Sequence, residues 1–223
     1  MENNLKHICY IIGAYKGDEA IISPNKGDLV IAADGGYKSL DTLGINSDFV
    51  VGDFDSLGFV PQAENIIWHP VRKDDSDTLL AIRLGLEQGY KNFVITGALG
   101  GRLDHSFANL QTLLFIRNNG ARGLLYGNGT VVTTVYNKSL TLKGEGTLSI
   151  FTMDEKALGV TLKDVSYPLE NAELTNHFPI GVSNEFIGRP AEISCTDGTL
   201  FVFCQAHKNS LPEIVRMIFN TNN

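Results

Sequence analysis

Long apolar runs are missing from this chain of 223 residues. Nothing approaches the ~18 consecutive apolar residues of a membrane-spanning helix, so a membrane protein is not expected. Met1 to Lys16 lacks the basic start and small-residue cleavage site of a secretory leader, and a cytoplasmic location is the expectation. Cysteine is scarce: Cys9, Cys195 and Cys204 are the three present. They cannot all pair, and none belongs to a CxxC or Cys/His cluster, which excludes a disulfide scaffold and a zinc site. Positive charge is also short, with 18 Lys plus Arg against 25 Asp plus Glu and a formal charge of −7. A surface of that sign disfavours nucleic acid as a partner. Repeats and low-complexity segments are absent. What remains is a 43% hydrophobic share, ample for a core. At about 100–200 residues per domain, the length suggests one or two domains.

The acids are unevenly spread. Ten of the fourteen Asp lie between Asp28 and Asp104, against two Glu, Glu64 and Glu87. Solvated helical faces favour Glu, because Asp competes with the backbone for hydrogen bonds. An excess of the shorter carboxylate suits a site for a hard cation, since it holds oxygen ligands close to the main chain. Turns and helix caps also use Asp, so the count leaves both readings open.

The order of elements predicts the fold of the first half. His7 to Ile12, Leu29 to Ala33, Phe49 to Val51, Ile66 to Trp68, Phe93 to Thr96 and Arg122 to Tyr126 read as short strands. Tyr37 to Leu43 has helical spacing and stops at Gly44. Ser76 to Gln88 is the clearest helix, with Asp74, Asp75 and Ser76 as cap candidates, and Asp104 to Arg117 is another. Strands alternating with helices predict an α/β domain with a mostly parallel sheet over residues 1–127. From residue 128 to 223 the pattern changes to short β-branched runs: Val131–Tyr136, Ser139–Leu142, Thr147–Thr152, Gly159–Leu162, Glu192–Cys195 and Leu200–Cys204. Asp197-Gly198 reads as a hairpin turn between the last two. These runs predict an all-β sandwich, with a short helix or an irregular edge over Leu211 to Phe219.

Three motifs fall where strands of the α/β half should end, the edge at which open sheets bind ligands. They are Asp34-Gly35-Gly36, the run Gly52-Asp53-Phe54-Asp55-Ser56, and the glycine-rich turn Gly97 to Arg102 with Gly100 and Gly101. A fourth, Lys73-Asp74-Asp75-Ser76-Asp77, precedes the clearest helix. Asp53 and Asp55, at i and i+2 in a strand-exit loop, can point to one side and share a divalent cation, for which magnesium is suited. The turn at Gly97 opens a helix, so its N–H groups suit anionic oxygens. Arg102 supplies a fixed guanidinium, while Asp104 serves either as a cap or in the chemistry. Carboxylates for a cation with Arg and Lys for phosphates is the division of labour of phosphoryl transfer.

These residues carry a resemblance. VGDFDSL, KDDSDT, ADGG and TGALGGRLDHSFANLQTL stand in the order and spacing of the thiamine pyrophosphokinase family, and Gly181 to Phe186 (GVSNEF) resembles its thiamine-binding loop. The resemblance implies an N-terminal α/β domain, a C-terminal β-sandwich and a homodimer with thiamine bound between subunits. It implies the reaction ATP plus thiamine to AMP plus thiamine diphosphate. It gives Asp53, Asp55 and Asp77 to magnesium. Asp34, Gly35, Gly36, Lys73, Asp74, Gly97, Gly100, Gly101, Arg102 and Asp104 fall to the nucleotide and phosphate side, and Ser183 and Asn184 to thiamine. Two other readings stand beside it. A DxD after a strand is also the nucleophile motif of haloacid-dehalogenase-type phosphatases, with Asp53 attacking phosphate and Asp55 as acid. A non-catalytic nucleotide- or thiamine-binding module is the other, though it has no need of three converging carboxylates.

Overall fold

A computed structural model describes residues 7–15, 22–54, 58–59, 61, 63, 65–68 and 75–220. Internal contacts divide the chain into two compact units, Met1–Asn128 and Gly129–Asn223.

The first unit holds β1 (Ile8–Ile12), β2 (Leu29–Ala33), β3 (Phe49–Gly52), β4 (Ile66–Trp68), β5 (Asn92–Thr96) and β6 (Arg122–Gly127). Every residue of β1, β2 and β5 is buried. Their Ile, Val and Leu runs do not alternate with polar residues because both sheet faces are covered. The pairings are all parallel, in the order β6-β5-β1-β2-β3-β4. Three helices alternate with these strands: α1 (Gly36–Leu43), α2 (Asp77–Glu87) and α3 (Leu103–Asn118). Gly44 stops α1 in the left-handed region at φ 65°, a conformation that glycine adopts without steric penalty. Ser76 caps α2 by accepting from the Leu79 N–H at 3.3 Å. Arg83 ties α2 to Asp75 at 2.7 Å and lies over the Phe115 ring of α3 at 4.8 Å.

The direction of α2 follows from one glycine. A Cβ on Gly85 would strike the Phe93 ring and the Cys9 Sγ, and both residues stand near the amino ends of β5 and β1. The C-terminal half of α2 therefore lies toward the amino edge of the sheet. Eight residues earlier in the helix, Asp77 sits about 12 Å up the axis at ~1.5 Å per residue, toward the carboxyl edge.

The second unit is β-rich, with β7 (Thr130–Tyr136), β8 (Ser139–Leu142), β9 (Thr147–Thr152), β10 (Lys156–Lys163), β11 (Leu169–Thr175), β12 (Asn184–Glu185), β13 (Ala191–Ser194) and β14 (Thr199–Gln205). They form two antiparallel arrays, β12-β9-β14-β7 and β11-β10-β13-β8. The inward positions are Val, Leu, Ile and Ala, as in β8, where buried Leu140 and Leu142 alternate with exposed neighbours. The unit ends in a helix, α4 (Leu211–Asn220), which lays Leu211, Ile214, Val215 and Ile218 inward and packs on β8.

Two expectations change here. Asp197-Gly198 does not close a hairpin, because β13 and β14 belong to different arrays. The turn instead bridges Asp197 to Leu158, with Gly198 at φ 92°. Gly159 does not start a strand either. It stands inside β10 at φ 61°, where the register with β11 shifts, so it marks a bulge.

Candidate functional site

The chain runs outward from β1 through β2, β3 and β4, then returns to the opposite side of β1 for β5 and β6. That reversal lies between β1 and β5, the point at which open parallel sheets leave a crevice for ligands. Glycine lets main chains meet there. A Cβ on Gly97, just past β5, would stand 2.5 Å from the Gly13 carbonyl oxygen beyond β1, and a Cβ on Gly36 would strike the Ile12 carbonyl. The Gly13 N–H donates to the Thr96 carbonyl at 2.8 Å and the Tyr15 N–H to the Gly97 carbonyl at 2.9 Å.

Two expected carboxylates stand at this edge. Asp34 follows β2 directly, with φ 46°, and its N–H donates to the Val51 carbonyl of β3 at 2.8 Å. Gly52 opposes it so closely that a Cβ there would lie 3.1 Å from the Asp34 Cα. Asp53 directly follows β3, half-buried, and Phe54 after it is buried at φ 62°. A bulky residue held in the left-handed region costs about 1–2 kcal/mol, so the turn that presents Asp53 is maintained against local strain. Asp77 heads α2 toward the same edge and Gly35 precedes α1. Asp55, Lys73 and Asp74 lie outside the described residues. Other Asp of the rich stretch do different work at the amino edge. Asp28 accepts from the Ile8 and Asn25 N–H groups at 2.8 Å each, and Asp48 from the Val30 N–H at 2.7 Å.

The Gly97–Arg102 turn is held from beneath by two side chains of α3, and neither stands out in the motif itself. Asn109, buried, donates to the Ala98 carbonyl at 2.7 Å, and Ser106 Oγ accepts from the Gly100 N–H at 2.9 Å. An Asn among apolar helix residues is the signal that marked it, since a buried amide needs main-chain partners. Gly97, Gly100 and Gly101 all have positive φ, and the Tyr15 ring covers the last two. At the head of α3, Arg102 grips Asp104 with two bonds, 2.6 and 3.1 Å. The paired Arg102 hydrogen bond holds the Asp104 carboxyl below the usual carboxylate range, and Asp104 raises the guanidinium in turn. Both side chains are exposed. Asp104 belongs to the first turn of α3, while the cap position is Arg102, whose side chain makes no capping bond. Among the described residues no three His, Cys, Asp or Glu side chains cluster as a metal site.

A second site forms within the β-rich unit. Ile180, Gly181, Val182 and Ser183 face Tyr167, Pro168 and Leu169 across a cleft of about 440 Å³. The loop is pinned to β9: the Ile150 N–H donates to the Gly181 carbonyl at 2.9 Å and the Ser183 N–H to Ser149 Oγ at 3.0 Å. Gly181 is the residue that allows this approach, since a Cβ there would strike the Ile150 carbonyl. Ser183 is exposed at φ 59°. Asn184 is buried, 4% exposed, and its carboxamide is turned toward the main chain of Tyr167. Tyr167, Ile180 and Val182, which line the cleft, leave apolar surface in the open.

Comparison with known proteins gives both units a counterpart. The family model for the catalytic domain of thiamin pyrophosphokinase matches residues 23–124, and that for the vitamin B1 binding domain of thiamin pyrophosphokinase matches residues 137–200. The thiamine pyrophosphokinase of Bacillus subtilis (strain 168) is 27% identical over 183 residues, covering 78% of this chain and 86% of its own. The crystal structure of a thiamin pyrophosphokinase family protein from Enterococcus faecalis superposes with a TM-score of 0.77 at 26% identity, over 91% of this chain and 99% of that one. Thiamin pyrophosphokinase from Candida albicans shares the fold at a TM-score of 0.71 and 14% identity, over 90% of this chain and 89% of its own.

Proposed function

The chain belongs to the thiamine pyrophosphokinase family, and on that premise we propose that it transfers the terminal pyrophosphoryl group of ATP to the hydroxyl of thiamine, releasing AMP. The observation that carries the donor half is the sheet edge itself. A glycine turn and Arg102 follow β5 beside the point where the parallel sheet reverses its order, Asp34 and Asp53 follow β2 and β3 on the same edge, and that arrangement suits a nucleotide triphosphate and its counter-ion. The second unit supplies a partly apolar cleft with an exposed aromatic residue, Tyr167, and an exposed Ser183, which suits a heterocyclic cation better than a phosphate.

The donor set at the first site is made of carboxylate oxygens, the hard ligands that magnesium takes. Asp53, Asp55 and Asp77 would hold it. When bound, the metal would supply positive charge to the phosphate oxygens as bonds rearrange. The chain's own groups do the rest. Arg102 and Lys73 neutralise phosphate charge, and the turn from Gly97 to Gly101, braced by Asn109 and Ser106, presents main chain without side-chain bulk. Asp34, with Gly35 and Gly36, approaches the nucleoside, and Asp74 stands on the phosphate side.

In the transfer, the thiamine oxygen forms a bond to the β-phosphorus as the bond from that phosphorus to the α-phosphate oxygen breaks, and AMP leaves. The hydroxyl proton passes to a carboxylate. Two carboxylates at this edge stand as acceptors, Asp77 at the head of α2 and Asp104 in the first turn of α3.

The phosphatase alternative is not favoured. It needs its nucleophile on the first strand, whereas Asp53 follows the third. A purely binding module has no use for carboxylates gathered at the phosphate edge. Three unpaired, buried cysteines agree with a reducing compartment, the cytoplasm, and no described helix is long and apolar enough to cross a membrane.

We assign the working form to a homodimer whose active sites each draw on both chains. Mixed subunits test it: with thiamine well below its KM, a mixture of Asp53→Asn and Asn184→Ala chains should turn over faster than the sum of the two variants measured alone. A mixture that only equals that sum would place each site within one chain. Purified protein with ATP, Mg²⁺ and thiamine, and nucleotide products resolved, tests the reaction; release of inorganic phosphate without AMP would restore the phosphatase reading.

A further inference from the structure

Asn184 and Tyr167 are seventeen residues apart in the chain and adjacent in space. The antiparallel bridge between Val165 and Phe186 sets their register, and Ser166 continues it by donating to the Glu185 carbonyl at 3.0 Å. Two steps along, Tyr167 meets the side chain of Asn184, whose own main chain is committed to β9 through its pairing with Leu148. The Asn184 Oδ1 accepts from the Tyr167 N–H at 2.9 Å and from the Glu185 N–H at 2.9 Å, and its Nδ2 donates to the Tyr167 carbonyl at 2.6 Å. A carboxamide offers two acceptor and two donor positions, so three of the four go to main chain. The side chain behaves as an extra peptide group: Asn184 lines the cleft but is only 4% exposed, and the bonds of its carboxamide run to main chain.

We propose that Asn184 is a positioning residue: it fixes the Tyr167 main chain so that the exposed ring, 69% open, forms a rigid wall of the thiamine cleft, and it makes no contact with thiamine itself. This rests on the thiamine reading of that cleft. Without the carboxamide, the Tyr167 N–H and carbonyl turn to water, which is at hand on an exposed segment. The fold then survives while the ring loses its fixed direction, and the ligand must order it on binding. Ser183, an exposed residue, is left as the polar group of the loop that meets the ligand.

A double-substitution cycle on the full chain tests this, with thiamine affinity read by calorimetry beside the KM for thiamine and for ATP. Asn184→Ala and Tyr167→Ala should each weaken thiamine by roughly tenfold, the size of one ~1.4 kcal/mol interaction, and leave the ATP KM nearly unchanged. The double variant should bind no worse than Tyr167→Ala alone, since residues acting through one another do not add. Amide exchange at Tyr167 should quicken in Asn184→Ala. Losses that multiply in the double variant would put the carboxamide on the ligand and overturn the proposal. If Asn184→Ala does not fold by circular dichroism, Asn184→Asp carries the same cycle, because it keeps the shape and the acceptor bonds while removing the donor to Tyr167; multiplied losses there overturn it equally. Unsubstituted protein that binds no thiamine would instead remove the reading of the cleft, and this outcome is visible before any variant is made.

Discussion

Gly97 and Gly13 touch main chain to main chain: the carbonyl oxygen of Gly13 lies 2.5 Å from where a Gly97 side chain would begin. Gly97 also has φ 66°. Gly97→Ala therefore carries two penalties, crowding of about 1–3 kcal/mol and a left-handed backbone of about 1–2 kcal/mol. The melting temperature should drop by several degrees and ATP affinity with it. An alanine variant as stable as the parent would mean that β1 and β5 separate freely at this edge.

Asp53→Asn should lower turnover by several orders of magnitude with little change in melting temperature, because a half-buried strand-end carboxylate contributes charge to the site more than packing to the fold. Loss of one metal ligand removes several kcal/mol of transition-state stabilisation, and each ~1.4 kcal/mol is tenfold in rate. Near-native turnover with an unchanged magnesium requirement would sink the assignment.

The nucleotide product should be AMP, in step with thiamine diphosphate. ADP appearing with thiamine monophosphate would mean attack at the γ-phosphorus and an ordinary kinase.

Asn109→Ala should act on both stability and nucleotide binding. It leaves the buried Ala98 carbonyl without its 2.7 Å donor, a loss of about 1–3 kcal/mol, and frees the glycine turn to move. The KM for ATP should rise while that for thiamine stays put. Thermal melts and separate saturation curves give the two readouts.

Burial moves the Cys204 thiol up to about 12 from an ordinary 9.0, and raises Cys9 as well. Both stay protonated at pH 8, so iodoacetamide should leave them unmodified in the native protein and alkylate them after unfolding. The sign of the stability effect follows. Between the unfolded and folded values the native state binds more protons, so the contribution of Cys204 to stability is intact below about pH 9 and is lost as pH rises toward about 12. Rapid native labelling at pH 8 would contradict the burial.

Much of this was legible in the residues, and the exceptions have physical causes. Ile66–Trp68 is a strand, as its apolar run predicts, and α3 extends one residue past each expected end. The first half reads clearly because strands buried on both faces leave unbroken apolar runs. Leu169–Thr175 was invisible because Glu170, Asn171 and Glu173 face outward and Asn171 takes φ 48°, which breaks the alternation. Asp34 and Asp53 could be placed because strand ends are predictable from composition. The bond between Asn184 and Tyr167 could not, since nothing local to either residue states which distant main chain a buried amide will meet. Asp28 and Asp48 share the Asp-rich stretch with Asp34 and Asp53, yet their carboxylates are bound to main-chain N–H groups at the opposite end of the sheet.

The central place of β1 has a consequence for how the molecule comes into being. β1 leaves the ribosome before either of its partners, and it is hydrogen-bonded on one side to β2 and on the other to β5. Its second partner is synthesised some eighty residues later. At the usual elongation rate of about 5–20 residues per second, one edge of Ile8–Ile12 stays open for roughly 4–16 s. Five apolar residues without a lateral neighbour for that long form a ready template for a stray strand. Newly made chains should therefore depend on a chaperone, or on slower crowding at low temperature, until Asn92–Thr96 arrives and seals the gap.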